Sequence, residues 1–337
     1  MHNRKKADRP PTDEEVEAQQ RKVKAYRQLT GACFQRRAES DVSPESLQLT
    51  ARVLSVNPDC YSLWNWRREL LYGLYPSELQ GVPMHGVNES GPMVPSSVGA
   101  AIRDVELRLS ADALRKNPKS YSAWRHRVWV LERFEGDLGG ELRLTRDFLA
   151  LDARNFHCMN YRQWLAPRWT GGEGSVAERE VGFSQELLNA NPANASAFHY
   201  RGTYLKRLHP HPPEDAVRDE LRLLESAVFT EPDDSSAWWH MMFVMRWGKH
   251  EGSVGQWFET VLEEQVALVR TLLELEEASK WGLVALVELL HLQQELGTAP
   301  EDATQQVRDA VQSLLEVDPT HAVRYRGMLR RMEQAGA

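Results

Sequence analysis

The sequence predicts an all-α fold, an α-solenoid of about six to seven helical hairpins, and it does so on two observations. One segment recurs six times in unbroken register, and a polar residue followed by Pro separates apolar-periodic runs at repeat-sized intervals. A single hairpin of this kind cannot cover its own apolar faces and must stack on neighbours, so the repetition implies a solenoid. The expected organisation is an N-terminal arm and leading helix over 1–40, then a repeat solenoid over 41–335 with an exposed insertion at 76–99.

The leading helix is expected over Thr12 to Arg37, where Thr12 with Glu15 three residues later has the form of a capping box ahead of a charged helical pattern. Such a pattern packs weakly. The recurring segment then starts at Asn57, Asn117, Asp152, Asn191, Glu231 and Asp318, with Pro next in every copy except the third, which has Ala153. Seven residues after each start stand Trp64, Trp124, Met159, Phe198, Trp238 and Tyr325. Ten after stand Arg67, Arg127, Arg162, Arg201, Met241 and Met328.

Pro lacks the N–H that a first-turn residue leaves unpaired, so a polar residue plus Pro between two apolar runs ends one helix and begins the next. On this basis the aromatic falls about two turns into the second helix, and the Arg one turn further along the same face. The aromatics and the leucines Leu71, Leu131 and Leu205 are expected in the core, and the Arg is expected to hold carboxylates or carbonyls of the next hairpin. Between the first two copies the start-to-start distance stretches to 60 residues, and Pro76 to Gly99 is rich in Gly, Pro and Ser, which predicts an exposed, mobile insertion. Between the last two copies, Val261 to Leu275 and Trp281 to Leu296 have the pattern of a further, degenerate hairpin turning at Glu276 to Lys280.

Composition limits the function classes. Of 337 residues 42% are hydrophobic and 26% charged, and the net charge of -7 argues against a broad footprint for nucleic acid or anionic membrane. The most apolar stretch, Trp281 to Leu292, contains Glu288 and is too short to span a bilayer, so no stable membrane insertion is expected. Cys33, Cys60 and Cys158 lie far apart, which suits a reducing, cytoplasmic setting and not a disulfide scaffold. Met1 to Pro11 lacks the apolar core of a secretory signal, and Glu333 to Ala337 has no prenylation signal, so if the chain deals in lipid it is expected to do so as handler and not as cargo.

The start of each second helix is the most informative place for function. Asp or Glu is expected there, and Asp59 and Asp233 comply, but the second and third copies carry Lys119 and Arg154. A cation at that end is mildly unfavourable alone; beside a phosphate it adds to the backbone N–H groups and the helix dipole. No phosphate loop, dinucleotide fingerprint, zinc-protease or serine-hydrolase motif occurs, and His209-Pro210-His211 lies in a Pro-rich loop where no helix fixes ligand geometry. An independent active site is therefore not expected.

The repeated wording resembles the protein prenyltransferase α-subunit repeat. Asn57-Pro58-Asp59-Cys60-Tyr61-Ser62-Leu63-Trp64-Asn65-Trp66-Arg67 and Asn117-Pro118-Lys119-Ser120-Tyr121-Ser122-Ala123-Trp124-Arg125-His126-Arg127 carry the resemblance, which extends over about 20–330. Arg154-Asn155-Phe156-His157-Cys158, Phe198-His199-Tyr200-Arg201, Leu208-His209-Pro210 and the Met1-His2 start look like the Rab geranylgeranyl (type II) branch. Met159 and Phe198 in place of Trp, and Met241 and Met328 in place of Arg, depart from the pattern and bear on packing of the later repeats.

The resemblance implies a right-handed α-α superhelix, a crescent solenoid of helical-hairpin repeats, in a heterodimer with a β subunit, an α-α barrel that binds zinc and the isoprenoid. It implies transfer of geranylgeranyl from geranylgeranyl diphosphate to C-terminal cysteines of Rab GTPases presented by a Rab escort protein. It also implies that Lys119 and Tyr121 act on the diphosphate, that Arg154, Asn155 and His157 edge the same pocket, and that His2 reaches the partner's zinc as an extra ligand. Appended leucine-rich and immunoglobulin-like domains of some relatives are not expected here. Two other readings stay open: an α subunit of farnesyltransferase or type I geranylgeranyltransferase, and a non-catalytic TPR-like peptide scaffold.

Overall fold

A computed structural model describes residues 9–10, 12–79, 83–84, 91–249 and 256–335. They form fifteen α-helices joined by turns, and the one β-type contact among them is an isolated bridge between Met93 and Phe134. The leading helix α1 (Asp13–Ala38) starts on the expected capping box, in which Thr12 accepts from the Glu15 N–H and Glu15 accepts from the Thr12 N–H. Along α1 only Cys33 is buried, as its charged pattern predicts.

The chain divides into two compact units, Met1–Gly171 and Gly172–Ala337. The first holds α1 and the hairpins α2 (Pro44–Val56) with α3 (Tyr61–Leu74), α4 (Ser97–Lys116) with α5 (Tyr121–Leu131), and α6 (Leu138–Leu151) with α7 (Phe156–Leu165). The second holds α8 (Val176–Ala190) with α9 (Ala195–Leu208), α10 (Glu214–Thr230) with α11 (Ser235–Gly248), α12 (Gln256–Leu275) with α13 (Lys280–Leu296), and α14 (Ala303–Val317) with α15 (Ala322–Ala335). The division comes at a glycine-rich link in which Gly172 and Gly174 take φ values of 93° and 72°, a region L side chains avoid. The sequence pattern, which runs on through 41–335, does not announce it. The degenerate hairpin expected after Val261 is α12 with α13.

The second helix of each hairpin begins later than the Pro rule predicts. Each start residue accepts, on its carbonyl, the N–H three residues on: Ser120 to Asn117, Asn155 to Asp152, Asn194 to Asn191 and Asp234 to Glu231, at 3.0–3.1 Å. Pro, or Ala153 in the third copy, thus occupies the second place of a β-turn, where the fixed φ of Pro is equally at home, and the residue two further on caps the helix. Lys119 and Arg154 consequently sit one residue ahead of the cap, not inside the first turn. The repeated aromatics move into the first turn as well, where the indole N–H groups of Trp64, Trp124 and Trp238 donate back to the carbonyls of Pro58, Pro118 and Pro232 at 2.8–2.9 Å.

All six repeated aromatic or Met positions are at most 5% exposed, and Leu71, Leu131 and Leu205 are buried with them. The recurring Arg is also buried and welds hairpins together. Arg67 makes a two-pronged pair with Glu106 of the next hairpin while its remaining nitrogen donates to the Leu47 carbonyl and the Thr50 hydroxyl. Arg127 does the same with Glu141, Leu107 and Ser110, and Arg201 with Glu220, Val181 and Ser184. Each of these carboxylates takes a further bond from its own hairpin: Glu106 meets His126, Glu141 accepts from Tyr161, and Glu220 meets His240.

Burial alone would raise the Glu106 carboxyl, but Arg67 and His126 hold it down at about 2. Burial pushes His126 down to about 4 against the pull of Glu106, so this imidazole is neutral near pH 7. Part of the insertion expected to be exposed is pinned down. Leu79 is 2% exposed, the Pro83 carbonyl accepts from Tyr72 and Arg133, and the Met93 N–H donates to the Arg133 carbonyl at 2.9 Å. Val94, by contrast, is 76% exposed, and 80–82 and 85–90 lie outside the described residues.

Candidate functional site

The turn of the second hairpin and the turn of the third meet at one edge of the first unit. Ser120 caps α5 by accepting from the Ala123 N–H, and its hydroxyl donates to the Pro58 carbonyl of the preceding turn. Asn155 caps α7 by accepting from the His157 and Cys158 N–H groups, and its amide donates to the Pro118 carbonyl at 2.9 Å. Each cap therefore ties its turn to the one before. Asn155 is fully buried by this work, so at the edge it sets the backbone and does not face outward.

With the turns fixed, three of the expected residues come together. Tyr121, 69% exposed, stands edge-on to the His157 ring with centroids 4.0 Å apart. His157 is buried, and burial followed by the positive charge of Lys119 lowers its proton affinity, so it is neutral near pH 7. Lys119 is part-exposed, and its ammonium lies 3.0 Å from an Asp152 oxygen. Arg154 is exposed, and its backbone N–H donates to the other Asp152 oxygen at 3.1 Å. His2 lies outside the described residues.

Two neighbours escaped the sequence reading as site residues. Phe156 is 48% exposed, packs on His157 with centroids 3.9 Å apart, and presents an apolar face beside the cation. Asp152 served there only as a repeat landmark, whereas in the structure it neutralises Lys119. The signal was available, since a carboxylate one repeat after a lysine falls where the preceding rung has Asn117 donating to Asp59 at 2.7 Å. Chemically the edge offers an ammonium, a phenol hydroxyl and an apolar wall around a neutral imidazole. That set suits an anionic group beside an apolar one better than a metal ion. Among the described residues no group of three or more His, Cys, Asp or Glu side chains is gathered to hold a metal, and no helix is long and apolar enough to cross a membrane.

The protein prenyltransferase alpha subunit repeat model matches residues 43–74, 104–134, 138–169, 177–208 and 217–248. The geranylgeranyl transferase type-2 subunit alpha of Rattus norvegicus is 37% identical over 260 residues, as is that of Homo sapiens, in each case over 73% of this chain. That match spans only 41% of those relatives, about two fifths of their length. The subunit of the same name from Schizosaccharomyces pombe is 27% identical, with 94% of both chains covered. Among solved structures, Candida albicans protein geranylgeranyltransferase-I complexed with GGPP superposes with a TM-score of 0.66 at 15% identity, covering 98% of this chain and 94% of that one. With five matched repeats, this fold and relatives of that one name along it, the chain belongs to the protein prenyltransferase α-subunit family.

Proposed function

We propose that this chain is the α subunit of a type II (Rab) geranylgeranyltransferase, a cytoplasmic heterodimer with a zinc-binding β subunit. The enzyme moves geranylgeranyl from geranylgeranyl diphosphate to C-terminal cysteines of Rab GTPases presented by a Rab escort protein. The observation that carries the reading is the 37% identity to type-2 α subunits over 73% of the chain. The Lys119 and His157 edge lies inside the matched repeats.

In this reaction the bond between the isoprenoid carbon and the diphosphate oxygen breaks while a cysteine thiolate forms the new carbon–sulfur bond. The thiol's ionisation would be supplied by Lewis acidity of a zinc ion that the partner, and not this chain, would hold. Lys119 and the Tyr121 hydroxyl stabilise the charge gathering on the departing diphosphate, and Arg154 adds a second cation one repeat on. Neutral His157 fixes the Tyr121 ring edge-on, and Phe156 lines the side toward the lipid. The solved neighbour's GGPP is in keeping with this ligand class.

That neighbour is a type I enzyme, which favours one alternative, a subunit that prenylates free C-a-a-X peptides. The complex co-purified with this chain from its native cell decides between them. A barrel partner is expected, with prenyl transfer to a Rab protein in the presence of escort protein and little transfer to a short C-a-a-X peptide. Efficient transfer to the free peptide without escort would assign the chain to the type I or farnesyl group.

A further inference from the structure

The Lys119 ammonium is already occupied. Its partner, the Asp152 carboxylate, stands 3.0 Å away with both side chains about one third exposed, 33% and 36%. The carboxylate is not free to swing aside, because its other oxygen accepts the Arg154 N–H at 3.1 Å and so belongs to the turn. In the preceding rung the same two places are held by Asn117 and Asp59: the Asn117 amide donates to Asp59 at 2.7 Å while its oxygen accepts the Lys119 N–H at 3.2 Å. The rung at Lys119 keeps this geometry with donor and acceptor exchanged. An asparagine is therefore sterically and conformationally acceptable at the start position, and the carboxylate at 152 contributes its charge.

We propose that Asp152 is a positioning residue that holds Lys119 in a weak internal ion pair and competes with diphosphate for it, limiting how tightly the leaving group is retained. The inference rests on the Proposed function reading of Lys119. An ion pair this exposed costs little to break, so a diphosphate with two or more charges and several acceptor oxygens displaces it. Once displaced, Asp152 remains nearby as a like charge and favours release of pyrophosphate after transfer. Between ligands it keeps the ammonium at the edge, 3.0 Å from its own oxygen.

The test uses the co-purified heterodimer with inorganic pyrophosphate as probe, read by calorimetric titration and by inhibition of prenyl transfer. Asp152→Asn is expected to tighten pyrophosphate binding about twofold to fivefold, the range an exposed ion pair can withhold. The gain should vanish when Lys119→Ala is also present, because Asp152 acts through that ammonium. Asp152→Ser, whose hydroxyl can also close the turn, is expected to tighten binding in the same direction. Unchanged or weaker binding in both variants overturns the proposal, as does an equal gain in the Lys119→Ala background, which would mark a bulk charge effect. If Lys119→Ala alone leaves pyrophosphate binding unaltered, the assignment of Lys119 to the diphosphate fails first, and the two failures are thereby told apart.

Discussion

The second hairpin and the fifth solve the same packing problem with opposite chemistry. In the second, Arg127 lies between hairpins with Ser110, the Leu107 carbonyl and Glu141 as partners, and Tyr161 completes the shell of Glu141. In the fifth, the Arg position is Met241 and the hydroxyl position is Leu224, both fully buried in the core of the second unit. The last hairpin makes the same exchange with Met328 and Val311, and Val311 is fully buried. In both, the guanidinium and the hydroxyl it would bond are replaced together, which avoids leaving a buried polar group unpaired. Stacking of these hairpins thus needs a filled interface and not a salt bridge.

The sharpest way to break that comparison is to remove one member only. Arg127→Met leaves Glu141 buried without its guanidinium and is expected to destabilise the full chain by about 3–5 kcal/mol, measured as a shift in the urea midpoint at constant slope. Combining it with Ser110→Leu and Glu141→Gln, which removes the stranded charge and the hydroxyl together, should recover a good part of the loss. If the triple variant is no more stable than the single one, the charged rung is more than an alternative filling.

A pH scan sharpens the same contrast. His126 is depressed to about 4 from 6.5, His240 is depressed in the same direction, and Glu106 is depressed to about 2 from 4.5, in each case with burial opposed or overcome by the partner. As pH falls below 6.5 the unfolded chain takes up protons on these histidines that the folded chain refuses, and below 4.5 it does so on Glu106. Stability is therefore full above about pH 6.5 and is lost on acidification. The expected loss between pH 7 and pH 5 is about 2 kcal/mol, and His126→Gln should flatten it. The smallest effect concerns the entry to the repeats: Ser40 has a φ of 57°, and Ser40→Gly should raise stability by about 0.5–1 kcal/mol in the same unfolding assay.

Much of this was legible in the sequence because a repeat prints its landmarks several times. The Trp, Leu and Arg positions, the degenerate hairpin at α12 with α13 and the capping box on Thr12 all came from register and capping chemistry. Glu106, Glu141 and Glu220 did not, since a carboxylate inside an amphipathic helix looks like part of a solvated face. A constant interval of 20 residues from each Glu to its His or Tyr partner carried that information unread. The Pro rule put Lys119 one turn too deep, because a polar residue with Pro can open a β-turn as readily as a helix. His157 entered by resemblance alone; nothing in its spacing distinguishes a ring that meets Tyr121 at 4.0 Å from any other buried histidine.

The most direct test of the central claim, that this chain lends positive charge to a leaving diphosphate held mainly by its partner, is single-turnover prenyl transfer by the heterodimer carrying Lys119→Ala. The account predicts normal assembly and a transfer rate lowered by the equivalent of about 2–4 kcal/mol, the loss typical of one oxyanion-type donor. Wild-type turnover from a correctly assembled Lys119→Ala complex would contradict it.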